Sequence, residues 1–352
     1  MAPRDFVLGG RTIGPSHPPF VIAEMSGNHN QSLARALAIV DAAADAGAHG
    51  LKLQTYTAET MTLDLADGAF RITDEKSLWS GRTLFDLYRE AHTPWAWHEP
   101  IFARCRARGL VGFSTPFDDT AVDFLESLGA PAYKIASFEN TDLPLIRRVA
   151  RTGKPMIMST GMAEVGELAE SVAAARAAGC EDLVLLKCTS TYPSSPENTH
   201  LRTIPHLAQL FDVHVGLSDH TGGLGAAVAA VALGARVIEK HFTLARADGG
   251  VDSAFSLEPA ELAALVVESG RAHQALGQVQ YGPTTAERPS LAYRRSLYVA
   301  RDMKAGEVFT PENLRAVRPG FGLAPKHYDA LLGRRVRRDA AIGTPVSWEL
   351  VD

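Results

Sequence analysis

The chain has 352 residues, 46% hydrophobic and 21% charged, which excludes disordered and fibrous classes and leaves room for two domains or one large domain with an appendage. Its 35 Lys and Arg against 40 Asp and Glu give a net charge of -5, so neither nucleic acid nor an anionic membrane is expected as the main partner. Cys105, Cys180 and Cys188 lie far apart with no CxxC pair, which excludes a disulfide scaffold or a cysteine-built zinc site and fits a reducing compartment.

The N-terminal string MAPRDFVLGGRTIG lacks the long apolar core of a signal peptide, and a cytoplasmic protein is expected. Short apolar runs follow at 20–25, 50–56, 110–116, 132–137, 156–160, 183–190, 214–218 and 237–242. Between them lie alanine-rich, helix-like stretches at 33–46, 120–128, 143–151, 165–178, 201–210 and 224–233. Continuous apolar strands separated by helices indicate an α/β fold with parallel strands buried on both faces. Eight such units over about 250 residues match a (β/α)8 TIM barrel. The competing open, doubly wound sheet is disfavoured because no Gly-rich dinucleotide turn follows the first strand.

One connection, from Tyr56 to Leu110, is long and holds Trp79, Phe85, Tyr88, Trp95 and Trp97. A segment of this size either covers an active site or packs as an extra helix. The apolar stretch 223–237 is too short to cross a bilayer. After a helix at 258–276, Gly282, Pro283 and Pro289 mark a linker. The expected domains are therefore a barrel over 1–280, a linker over 281–290 and a small β-rich domain over 291–352. That last piece has too few residues for a large core and is expected to dock on a barrel. Its basic cluster, Arg334, Arg335, Arg337 and Arg338, reads as a solvated face.

Chemistry on such a barrel sits at the C-terminal ends of the strands. Those ends supply Glu24, Lys52, Gln54, Thr115, Lys134, Ser137, Glu139, Ser159 and Thr160. The later strands add Lys187, Ser190, Tyr192, Ser218, Asp219, His220, Glu239, Lys240 and His241. Ionisable groups beside buried strands are costly unless paired or liganded, so their coincidence at one rim is a functional signal. Lysines among Ser and Thr hydroxyls form a donor-rich basin suited to a phosphate or phosphocarboxylate. His220 and His241 end adjacent strands near Glu24 and Asp252. Imidazoles so placed either share one divalent cation or serve as hydrogen-bonded core residues, and spacing alone leaves both open.

The strings AEMSGNHNQSL, LKLQTY, STPFD, YKIASFEN, STGMA, CTSTYPS, GLSDHT and EKHFT resemble the sialic acid synthase family. Its members condense phosphoenolpyruvate with an amino sugar to make nine-carbon nonulosonic acids. The resemblance covers nearly the whole chain, and RRSLYVARDMKAGEVFTPENLRAVRPG is similar to an antifreeze-like (SAF) domain. AEMSGNHN, KIASFENTDLPLI and HFTLARADGGVDSAFSLEP resemble the pseudaminic acid synthase branch. Phe138-Glu139 stands where the sialic and legionaminic branches usually carry Gly-Glu, Ser190 where they commonly carry Asn, and Arg294 where sialic acid synthases set an aromatic against the sugar.

The resemblance implies that His220 and His241 bind a divalent metal, Mn2+ or Mg2+, and act with Glu24 in catalysis. It implies phosphoenolpyruvate contacts at Lys52, Thr115, Lys134, Ser137, Ser159, Ser190 and Ser218. Sugar contacts fall on Glu24, Tyr192, Asp252 and Arg318, and Glu139 joins the substrate-binding set. It further implies a domain-swapped homodimer in which Arg318 acts in trans, and a product used in bacterial surface or flagellar glycosylation. The expected reaction joins phosphoenolpyruvate to 2,4-diacetamido-2,4,6-trideoxy-L-altrose, giving pseudaminic acid and phosphate. The alternatives are an N-acetylneuraminic or legionaminic acid synthase, a pyruvate aldolase with a Schiff base at Lys134 or Lys240, and a non-catalytic sugar-phosphate binder. The last is disfavoured because a binder has no need of paired histidines for metal.

Overall fold

The computed structural model of the chain describes residues 3–352 except Lys76. The chain forms two compact units, one ending at Gly277 and the other spanning Gln278–Asp352.

The first unit opens with an antiparallel hairpin, β1 (Phe6–Leu8) and β2 (Arg11–Ile13). Gly9 and Gly10 lie at φ +56° and +89°, the left-handed backbone that a two-residue hairpin turn demands. Eight parallel strands follow: β3 (Phe20–Glu24), β4 (Gly50–Thr55), β5 (Val111–Pro116), β6 (Tyr133–Ile135), β7 (Met156–Ser159), β8 (Leu183–Cys188), β9 (His214–Asp219) and β10 (Val237–His241). They close into a barrel as β10 pairs with β3, setting Val237 opposite Phe20 and His241 opposite Glu24. Closure decides for the barrel against the open sheet.

Side chains alternate along each strand, and both faces are apolar because both are covered. Val21, Ala23, Leu51, Leu53, Met156, Met158, Leu185 and Leu217 face the surrounding helices. Phe20, Ile22, Phe113, Ile157, Leu186 and Val237 face inward and pack with Phe6, Leu8 and Ile13 of the hairpin. The hairpin therefore plugs the N-terminal end of the barrel, leaving the C-terminal end for chemistry. The helices follow the same economy of pattern. Helix Leu33–Asp45 buries Ala36, Ile39, Val40 and Ala43, a single stripe, and Ser32 caps it by accepting from the Arg35 amide.

The long connection between β4 and β5 packs as extra helices, one of the two readings the sequence allowed. It contains helices Ala58–Met61 and Leu84–Ala91 before the ordinary barrel helix His98–Ala107, and it lines the cavity described below. Among the described residues, no helix is long and apolar enough to cross a membrane.

In the second unit, β11 (Ser296–Val299) pairs antiparallel with β12 (Leu314–Val317), and isolated bridges such as Met303↔Ala340 and Val336↔Val351 complete it. Leu297, Val299, Met303, Phe309, Leu314, Leu331, Val336 and Val346 form a small core of its own. Arg334, Arg335, Arg337 and Arg338 are all exposed, flanking buried Val336.

Candidate active site

Carrying the inward alternation one step past the apolar layers builds the site. Phe20 and Ile22 lead to Glu24, Val111 and Phe113 to Thr115, Ile157 to Ser159, Val184 and Leu186 to Cys188, and Val237 to Glu239. The same parity brings in Lys52, Lys134 and Ser218, so one polar layer crosses the barrel at its C-terminal end.

Lys52 and Lys134 are only 3% and 2% exposed, so each depends on its partners. Lys52 Nζ lies 2.7 Å from Glu24 Oε2 and donates to Thr115 Oγ1 at 3.1 Å. Glu239 Oε1 accepts from Lys134 Nζ at 3.1 Å and from Ser218 Oγ at 3.1 Å, with Lys52 Nζ at 3.9 Å. Gln54 Nε2 donates to Glu24 Oε1 at 3.0 Å. Burial pushes the Glu24 carboxyl upward, outweighing the pull of Lys52, and the charge of Glu239 adds to the rise. Burial acts the same way on Glu239, but Lys134 and Lys52 together overcome it and hold that carboxyl low. Burial lowers Lys134, against the attraction of Glu239. Ser159 Oγ is buried with no hydrogen-bond partner among the described residues.

Ser137 lies just beyond β6, on the turn Ser137–Glu139, and its Oγ accepts from the Gly161 amide at 3.1 Å. A Cβ at Gly161 would come within 2.2 Å of Ser190 Oγ and 2.7 Å of Ser137 Oγ. Glycine leaves both hydroxyls the space a Cβ would take.

Three rim residues face the other way. Lys240 Nζ pairs with Asp219 Oδ2 at 3.0 Å and donates to the Thr221 carbonyl, on the face of β10 opposite Glu239 and His241. Lys187 Nζ donates to the Cys188 carbonyl at 2.7 Å. The basin therefore holds Lys52 and Lys134 but not Lys187 or Lys240, a correction to the rim set, and Lys240 is not placed to form a Schiff base. Thr160 likewise spends its hydroxyl on the Leu186 carbonyl.

The two histidines come together, with ring centroids 5.3 Å apart. His220 Nδ1 lies 3.0 Å from the Thr189 carbonyl, which can only accept, so that nitrogen carries a proton and Nε2 is the one left to bind a cation when the ring is neutral. His241 Nδ1 is buried without a hydrogen-bond partner and lies 3.7 Å from Asp252 Oδ2. Asp252 accepts from Ser26 Oγ. Two buried imidazoles with unused nitrogens fit a divalent cation. Among the described residues no group of three or more His, Cys, Asp and Glu is arranged to hold a metal, so the remaining positions would fall to solvent or substrate. Cys188 Sγ is 3.9 Å from His220 Nδ1. Burial would raise this thiol, but His220, Ser137 and Lys134 pull it down to about 7.

Above the polar layer opens a cavity of about 730 Å³, with Gln54, Glu139, Tyr192, His241 and Asp252 on the barrel side. Burial and Asp142 push Glu139 up to about 7. The Tyr192 ring sits 4.4 Å from that of His220. Arg318 is exposed in the second unit, just past β12. Reading the strand ends left Glu239 and Gln54 without roles and passed over Cys188 and Ser26. For Cys188 the signal was present, in the inward series Val184, Leu186, Cys188.

Comparison with known proteins places the molecule. The NeuB family matches residues 39–281, well over half of the chain. The chain belongs to the NeuB family. A SAF domain matches residues 294–352 of this NeuB family member. It is 44% identical over 324 residues to the pseudaminic acid synthase of Campylobacter jejuni subsp. jejuni, covering 92% of this chain and 94% of that one. To the pseudaminic acid synthase of Helicobacter pylori it is 41% identical over 332 residues, covering 94% and 97%. Among solved structures, the N-acetylneuraminic acid synthetase of Leptospira borgpetersenii serovar Hardjo-bovis, in complex with citrate, matches with a TM-score of 0.73 at 30% identity, covering 82% of this chain and 95% of that one.

Proposed function

We propose that this NeuB family member condenses phosphoenolpyruvate with 2,4-diacetamido-2,4,6-trideoxy-L-altrose and water, giving pseudaminic acid and phosphate. What carries the reading is the basin of Lys52, Lys134 and the unpartnered Ser159 hydroxyl at the mouth of the barrel. The branch follows from 44% identity to a pseudaminic acid synthase, against 30% to a sialic acid synthetase.

Lys52, Lys134 and the hydroxyls of Thr115, Ser137, Ser159, Ser190 and Ser218 hold the phosphate and carboxylate through charge-assisted bonds. Carbon 3 of phosphoenolpyruvate then attacks the sugar aldehyde, its π electrons forming the new bond. Positive charge develops at carbon 2, water adds there with loss of one proton to the Glu24 carboxylate, and the tetrahedral intermediate expels phosphate, which takes the remaining hydroxyl proton as the ketone forms. Glu24, its carboxyl held above the usual range by burial, delivers a proton to the aldehyde oxygen as that bond forms. Glu139, Tyr192 and Asp252 orient the sugar. His220 and His241 would hold Mn2+ or Mg2+, and the chemistry such a cation supplies when bound is Lewis-acid polarisation of the aldehyde. Arg318 serves as a further sugar contact, supplied in trans by the second copy of a domain-swapped homodimer.

The deciding experiment measures phosphate release from phosphoenolpyruvate with each candidate sugar. The diacetamido altrose should exceed N-acetylmannosamine in kcat/KM by about tenfold or more, because a missing acetamido leaves site donors unpaired. Comparable values overturn the branch assignment. Borohydride trapping with pyruvate should give no adduct; an adduct at Lys134 would turn the reading toward an aldolase. Exhaustive chelation should stop turnover and a divalent cation restore it, whereas full activity in chelated protein removes the metal from the reading.

A further inference from the structure

The loops that follow β3 and β10 are strapped together at the barrel mouth. Their strands end in Glu24 and His241, which lie opposite each other. After Glu24 the chain turns tightly over Met25–Asn28, closed by Asn28 N donating to the Met25 carbonyl at 3.1 Å. Asn28 Nδ2 donates to the Phe242 carbonyl at 3.0 Å and to Ser256 Oγ at 2.8 Å, and Ser256 Oγ donates to the Asp252 carbonyl at 2.7 Å. A Cβ at Gly27 would come within 2.3 Å of Val251 Cγ2, so the turn lies directly against the residue before Asp252. Trp79 Nε1 also donates to the Val251 carbonyl, at 3.0 Å. The backbone around Asp252 is thus held without the Ser26 side chain.

Ser26 has a different task. Its φ of +47° lies in the left-handed region, which glycine occupies freely and a residue with a Cβ does not. The serine standing there is buried, and its Oγ donates to Asp252 Oδ2. Among the described residues it is the one side-chain donor within hydrogen-bond distance of that carboxylate, for His241 Nδ1 stands off at 3.7 Å. The strap fixes where the Asp252 side chain starts, and the Ser26 hydroxyl fixes how its carboxylate is turned. Ser26, Asp252 and His241 all line the cavity.

We propose that Ser26 is a positioning residue of this site: its hydroxyl, presented from a left-handed turn, holds the Asp252 carboxylate in the one orientation in which it receives the sugar. The proposal rests on the reading above, in which Asp252 orients the sugar, and names what orients Asp252. A carboxylate held in one rotamer loses less freedom when a sugar hydroxyl or amide donates to it, so the gain falls on the sugar and not on phosphoenolpyruvate.

The test uses the full chain and whichever candidate sugar the wild type turns over. Ser26→Ala and Ser26→Gly both remove the hydroxyl, but only glycine relieves the left-handed backbone. Ser26→Gly should therefore melt at a higher temperature than Ser26→Ala. Both should nevertheless lose about tenfold in kcat/KM for the sugar, equally, with the KM for phosphoenolpyruvate unchanged. In an Asp252→Asn background the bond to Ser26 is no longer charge-assisted, so Ser26→Gly should there cost about threefold or less. An unchanged kcat/KM for the sugar, a loss graded with melting temperature, or an equal rise in the KM for phosphoenolpyruvate overturns the proposal. So does a full tenfold loss on top of Asp252→Asn, which would make Ser26 a direct sugar contact. Turnover of no candidate sugar by the wild type overturns the proposed function and this proposal with it, whereas wild-type turnover with unaffected Ser26 variants overturns this proposal alone.

Discussion

Glu239 controls the electrostatics of the basin. It bridges Lys134 and Ser218 and stands 3.9 Å from Lys52, so two buried ammonium groups share one carboxylate while Glu24 serves Lys52 alone. Burial raises Glu24 while Lys134 and Lys52 hold Glu239 low, so Glu239 is the firmly ionised partner of the two lysines, and an anion would meet donors already aimed. Lys134 should matter most for phosphoenolpyruvate. A charge-assisted bond contributes about 1.5–3 kcal/mol, so Lys134→Ala should raise the KM for phosphoenolpyruvate or lower kcat by about tenfold or more. Steady-state kinetics at saturating sugar check this, and unchanged constants would reduce Lys134 to a structural partner of Glu239. That polar residues would gather at the strand ends was legible in the sequence, because nothing else explains lysines beside buried apolar runs. Which lysines point inward was not. Lys187 and Lys240 differ from Lys52 and Lys134 only in strand parity, and a strand that is apolar on both faces has no hydrophobic alternation to reveal it.

Among the elements, the β1–β2 hairpin has the least sequence signal and a large structural consequence. Its strands are three residues each, too short to show a period. Yet Leu8 is fully buried and packs in the cluster that holds Phe20, Phe113 and Ile157. Leu8→Ala should destabilise the barrel by about 2–5 kcal/mol through lost transfer energy and a residual cavity. Urea unfolding measures this. Because the hairpin closes the end opposite the catalytic layer, kcat in the folded variant should change little. The segment around Trp79 is the converse case, one whose aromatic residue was visible but whose placement was not. Trp79 and Val251 are separated by 172 residues, and no local pattern encodes such a meeting.

At the scale of the whole molecule, three neutral histidines, His29 and His98 buried and His49 half-buried, make stability sensitive to acid. His29, His49 and His98 are held down from 6.5 to about 4, mainly by burial. Above pH 6.5 both folded and unfolded chains leave them neutral, and they contribute nothing to the pH dependence. Between about 6.5 and 4 the unfolded chain takes up protons that the folded one refuses, so stability falls as pH falls through that window. Glu139, raised from 4.5 to about 7, acts in the opposite sense over much of the same range, so the histidine contribution is best isolated by substitution. His49 Nδ1 accepts from the Val21 amide at 2.9 Å. His49→Asn offers an acceptor without a titrating ring, and its urea midpoint should fall less than that of the wild type between pH 6.5 and 4. The proposed homodimer is tested at the same scale. Inactive Arg318→Ala chains mixed with inactive Glu24→Ala chains should regain activity after subunit exchange, because one site of each mixed dimer then joins an intact barrel to an intact Arg318. If Arg318 acts on its own barrel, every site keeps one lesion and the mixture stays inactive.

The succession of eight buried apolar runs and intervening helices specified parallel strands covered on both faces, and the pairing of β10 with β3 decided for a barrel over an open sheet. The same succession also pointed to where the candidate site lies: Glu24, Thr115, Ser159, Ser218 and His241 stand at or next to the ends of their strands and His220 just past β9, whereas Lys52 and Lys134 lie within β4 and β6. Tertiary structure alone decided which of the rim groups share one space. Barrel closure turned Lys240 outward to Asp219 and Glu239 inward to Lys134. The backbone at Gly161 came to lie beside the hydroxyls of both Ser137 and Ser190, residues of two other loops. Trp79 joined a distant segment to Val251. Each of these depends on contacts between residues far apart in the chain, whose free energy exists only after the barrel has closed and brought them within reach.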